Sequence, residues 1–141
     1  MFFNTNVFDK IGRFDENIFL YFEETDYCKR GHKINLNSYQ LNKIKIRHDV
    51  GTAVEYIDKK EKNRIKLLCG WHFIWSKYYF YKKHYGLIFS LIYFSPILVR
   101  SMIKILISKM FKNYSNEEKY KNRFDGLISS MKGLKSFKRI E

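Results

Sequence analysis

With 141 residues, 45% of them apolar and 18% aromatic, the chain is long enough for one domain with a core, and its composition excludes a disordered tail. The net charge of +13 lies wholly in residues 58–141, where nineteen basic side chains face six acidic ones, while residues 1–57 carry eight of each. A cationic back half suits an anionic surface such as lipid headgroups. Cys28 and Cys69 form no metal-type pair and fit free thiols in a reducing compartment, and the opening "MFFNTNVFDK" has neither the basic nor the long apolar region of a secretory signal.

In chain order, Asn4 or Thr5 is placed to cap a short helix over 6–11 that Gly12 ends. Arg13–Phe19 reads as a loop. Glu23 to about Arg30 reads as a helix with its acids in the first turn, where the dipole favours them, and Gly31 is the expected stop. Asp26 and Arg30, four apart, fall on one face and can pair. Lys33–Leu36 and Lys43–Arg47 read as two short strands, the second from the period-2 alternation of "KIKIR".

From about Asp58 the pattern is helical, with Ile65, Leu68, Trp71 or His72, Trp75, Tyr79 and Phe80 near helical spacing and Gly86 at the end. Leu87–Val99 is uncharged over 13 residues, shorter than the roughly 20 that cross a bilayer, and Pro96 should kink it. "RSMIKILISKMFK" follows. Basic residues flanking a greasy segment fit a helix lying in a membrane interface, and a buried core helix followed by an amphipathic one fits the same pattern. Ser115–Glu118 reads as a capping box for a last helix.

The candidates for chemistry are Asp15, Glu16, Glu23, Glu24, Asp26 and His48. Three acids, Glu23, Glu24 and Asp26, stand directly after the apolar run Ile18–Phe22. A carboxylate at a helix start beside an apolar wall has the setting of a general base. The same acids also serve as dipole complement, Asp26 as a partner of Arg30, and His48 as an ordinary loop histidine.

The order "FDKIGRFDENIFLYFEETDYCKRGHKI … IKIRHDVGT" resembles the second half of the catalytic domain of family 2 glycosyltransferases, the rhamnosyltransferase-like branch. The matching residues are Gly12, Phe14, Asp15, Glu16, Phe19, Tyr21, Glu23, Glu24, Asp26, Arg30, His48 and Gly51. "WHFIWSKYYFYKKHYG" and "FDGLISSMKG" look like the membrane-proximal segment of such enzymes. The resemblance implies an α/β fold, mostly helical in this chain. Residues 1–57 would be the C-terminal part of a GT-A nucleotide-sugar transferase domain with two short strands. Residues 58–141 would form basic and apolar membrane-proximal helices.

It further implies transfer of a sugar, with inversion, from a nucleotide-sugar donor to a glycan or lipid-linked acceptor in cell-surface polysaccharide synthesis. A divalent cation, Mg2+ or Mn2+, would assist. Glu24 would be the base, one methylene longer than the family's Asp. Asp15, Glu16 and Glu23 would line the acceptor and donor-sugar site, His48 would complete the metal site, and Asp26 with Arg30 would give structural support. The location implied is cytoplasmic, peripheral on the inner face of the plasma membrane.

The family's nucleotide-binding units and Asp-x-Asp motif have no counterpart in these residues. The chain is therefore expected to be a fragment, inactive without a separate N-terminal half, and its Ile18–Phe22 run poorly covered. A small basic membrane-surface-binding module without enzymatic activity is the alternative. Nucleic acid is not an expected partner, because uncharged Leu87–Val99 fits such a role badly.

Overall fold

The computed structural model describes residues 4, 6–43, 45, 58–136 and 138–139. Five helices run in the order α1 (Asn6–Ile11), α2 (Glu23–His32), α3 (Lys59–Tyr85), α4 (Leu87–Met110) and α5 (Tyr114–Met131). Among the described residues there is no strand. The expectation of an α/β GT-A half-domain with two strands is therefore wrong for this chain, which is a small helical bundle.

The physical reason is visible after α2. The helix runs through Gly31 to His32, and the amides that a strand over Lys33–Leu36 would offer return to its last carbonyls instead. Lys33 N–H donates to Lys29 O, and Ile34 and Leu36 N–H both donate to Gly31 O at 3.0 Å. Asn35 sits at φ +61° in this turn. These donors are spent on closing a helix, so none is left for a ladder. Gly31 is a point of close approach rather than a stop: a Cβ there would lie 3.1 Å from Ile11 Cδ1. Of the strand expected over Lys43–Arg47, only Lys43 and Lys45 are described, neither in a strand.

α1 ends at Gly12, where φ is +79°. α3 starts on Asp58, whose side chain accepts from Glu61 N–H at 2.7 Å, and stops at Gly86, φ +87°, which turns the chain straight into α4. α3 buries much of its second half: Trp71, His72, Ile74, Trp75, Ser76, Tyr78 and Phe80 are all buried. The helix is central, with the front segment against one side and α4 and α5 against the others, so its buried residues are spread around it, with Lys77, Lys82 and Lys83 between them.

The core joins Ile74 and Tyr78 of α3, Phe94 of α4 and Leu127 of α5. α5 comes very close to α3 at Gly126, where a Cβ would stand 2.8 Å from both Ile74 Cγ2 and Trp71 O. α4 is one helix where the sequence suggested two segments, and it continues through Pro96. Its inward face repeats Ser90, Phe94, Ser101 and Ser108. The small residues admit the neighbouring helices, and the Ser90 and Ser101 hydroxyls donate to Gly86 O and Ile97 O, each at 2.8 Å. Asn113, not Ser115, caps α5, accepting from Asn116 N–H at 3.2 Å.

Candidate functional site

The apolar run before α2 finds its cover on α3. Ile18 is buried, Ser76 Oγ donates to Leu20 O at 2.8 Å, and Phe22 lies against Phe73 and Phe80 with ring centroids 5.7 and 5.5 Å away. Phe19 and Tyr21 stay exposed, so the run is half covered rather than bare. Tyr21 and Phe22 both have positive φ, +66° and +72°. Two consecutive bulky residues in the left-handed region store strain and fix the angle at which α2 begins.

Beside this run lies a buried charge network. The Asp26 side chain is wholly buried. Its Oδ2 accepts from Arg30 Nε at 2.9 Å, and its Oδ1 accepts from Lys83 Nζ at 2.7 Å and His84 Nε2 at 2.8 Å. Lys83 also donates to Asp15 Oδ2 at 2.7 Å, where Tyr79 O–H donates at 2.9 Å. The other Asp15 oxygen accepts from Asn17 N–H and Nδ2–H at 3.0 and 2.8 Å. Arg30 spends its remaining donors on Ile11 O and Arg13 O, both at 2.7 Å. One arginine thus ties α2 to the end of α1, and one lysine ties both aspartates to α3.

The electrostatics follow from these partners. Burial pushes the Asp15 carboxyl up, but hydrogen bonds from Lys83, Asn17 and Tyr79 outweigh it and hold the pKa at about 2. Burial likewise works against the Asp26 charge, and Lys83, His84 and Arg30 overcome it, so its pKa also falls. For His84, burial wins over the attraction of Asp26 and lowers the pKa. The geometry agrees: neutral His84 donates through Nε2, while among the described residues buried Nδ1 has no partner and a proton there would find no acceptor.

The fold brings Asp15 to the Asp26–Arg30 pair, with Lys83 bridging the two aspartates. Glu16 lies at a neighbouring cleft of about 540 Å3, between the Asp15 loop, α3 and residues 133–136, which Tyr79, Lys83, Trp75 and Leu134 also line. Glu23 and Glu24 do not line this cleft; they stand in the first turn of α2. Glu24 is exposed, and Glu23 buries Oε2 with no hydrogen-bond partner among the described residues. His48 lies outside the described residues.

Sequence reasoning missed Tyr79, Lys83 and His84, the α3 groups that complete the network. Their signal was the "YYFYKKHY" run, with Tyr79 and Lys83 four apart on one face. Nothing local shows that they meet acids 58–68 residues away.

The described residues do not fit a divalent cation. No three His, Cys, Asp or Glu side chains converge among them. The inward carboxylates of Asp15 and Asp26 are already held by Lys83, Arg30 and His84, and a cation beside Lys83 would be repelled. Comparison with family models, with curated proteins and with solved structures finds no match.

Proposed function

We propose that this chain is the acceptor-side part of a sugar-transferring enzyme similar to the family 2 glycosyltransferases. The observation that carries the reading is the single network joining Asp15, Asp26 and Arg30. It fastens the motif-bearing segment onto α3 and leaves the Glu23–Glu24 pair at the outer end of α2. A segment fixed so firmly, with strain at Tyr21–Phe22, is preorganised for positioning a reactant.

In this reading Glu24 takes the proton of the acceptor hydroxyl as its oxygen bonds to the anomeric carbon. The bond from that carbon to the donor's phosphate oxygen breaks, and the nucleoside diphosphate leaves with the electron pair. Donor binding falls to a separate nucleotide-binding half.

The test is transfer of label from UDP- and dTDP-linked sugars into lipid and glycan fractions, by the protein isolated with whatever half co-purifies. Glu24→Gln is expected to lower transfer by about a hundredfold or more while donor binding survives. Full turnover in that variant, or no transfer by the complex, would overturn the reading. Turnover by the isolated chain would remove the need for a second half.

A further inference from the structure

The outward face of α4 is the largest feature that the sugar-transfer reading leaves unused. Opposite its buried serines and Phe94 run Ile88, Ile92, Val99, Ile103, Leu106 and Met110, all exposed, from 49% to 76%. They follow one another at about one turn, with a single step of two turns from Ile92 to Val99, so they form one continuous stripe with no charge in it. Arg100 and Lys109 flank the stripe, and Lys112 and exposed Phe111 follow it.

α4 is long and apolar enough to cross a membrane, with 24 residues of which few are buried against the rest of the chain. Its packing argues for another placement. α4 lies against α5, whose Glu117, Glu118, Lys119, Lys121, Arg123 and Asp125 would be drawn into hydrocarbon if α4 crossed. Arg100 and Lys104 would also fall near the middle of the bilayer.

We infer that α4 is an in-plane helix that docks the protein on an anionic lipid bilayer. The inference is independent of sugar transfer. The apolar stripe enters the acyl boundary, while the flanking cations reach the headgroup phosphates by extending their stems. Two details fit this seat. Pro96 has no N–H for Ile92 O, and Ser95 Oγ donates to that carbonyl at 2.9 Å, so the outward backbone carries no bare acceptor into lipid. A shallow groove of about 400 Å3 beside Pro96 and Val99 has Arg100 and Lys104 at its edge, suiting a lipid chain beneath its phosphate. Charge also chooses between occupants. A second copy on the same face would set two chains of +13 against each other, whereas an anionic bilayer neutralises them.

The test floats the full chain with vesicles of phosphatidylcholine, with and without phosphatidylglycerol. Binding is expected to be about tenfold stronger with the anionic lipid and to weaken as salt rises. Ile92→Glu with Leu106→Glu should abolish flotation. Both positions face outward, so helix content by circular dichroism should hold. Arg100→Gln with Lys109→Gln should remove the preference for anionic vesicles. Nitroxides at Ile88→Cys, Val99→Cys or Met110→Cys, with Cys28 and Cys69 replaced by Ala, should report one shallow depth. A deep label at 99 between shallow ends would replace the in-plane seat by a span. Failure of the folded chain to bind, equal binding to both vesicle types, or a dimer that the Glu variants dissolve would overturn the inference.

Discussion

The front of the molecule, Asn6–His32, and the back, α3–α5, are held by different physics. The back is an apolar core in which Tyr78, Phe94 and Leu127 are almost wholly buried and Gly126 lets α5 approach closely. The front is joined to it by the half-covered Ile18–Phe22 run and by a few directed contacts around Asp26, with α1 burying no residue of its own. Apolar packing tolerates small shifts and is spread over many atoms; a charge network has few members, each needing its partner. The back should therefore fail gradually and the front all at once.

The largest expected break is Phe94→Ala. It should cost about 3–5 kcal/mol and lower the thermal midpoint of the whole chain, since the front has no platform without α3 and α4. Asp26→Ala removes the buried carboxylate shared by Arg30, Lys83 and His84 and should cost about 3 kcal/mol. Hydrogen exchange should speed up over residues 6–32 while amides of α4 and α5 keep their protection; equal loss in both regions would erase the contrast. Gly126→Ala, pressed against Trp71 O, should cost about 2 kcal/mol, confined to the back. Asn113→Ala removes one cap from α5 and should cost about 1 kcal/mol.

Acid sharpens the same contrast. The lowered pKa values of His72 and His84 mean that the unfolded chain binds more protons, so stability should begin to fall as pH drops below about 6.5. Asp15 and Asp26 add stability that is present above the ordinary carboxylate pKa and is lost below it, for Asp15 down to about pH 2. Exchange against pH should show the front releasing below about pH 4, and His84→Gln should weaken the first step there.

The helices were legible in the sequence where their stops are local. Gly12 and Gly86 both take positive φ and end α1 and α3. Gly31 misled because a glycine also permits close approach, here to Ile11. The strand at Lys33–Leu36 misled because alternation over four residues does not say where the amides will bond. The Asp26–Arg30 pair is a four-residue spacing and is readable. Its links to Lys83 and His84 depend on how α2 lies on α3, which no local pattern encodes. Nor did the sequence tell whether Leu87–Val99 and the segment after Pro96 were one helix; Ser95, bonded to the carbonyl that Pro96 leaves open, offsets part of the penalty for continuing.

The seat of Arg30 has a consequence for the order of assembly. α1 is six residues long, well short of what holds a helix in water by itself, and its last carbonyl is closed by a side chain from α2. It leans on α2 through Phe8 against Tyr27, Ile11 beside Gly31 and the Arg30 bond, and Arg30 is held by Asp26, which is held in turn by Lys83 and His84 of α3. On these contacts α1 is expected to settle last, after α2 has docked on α3.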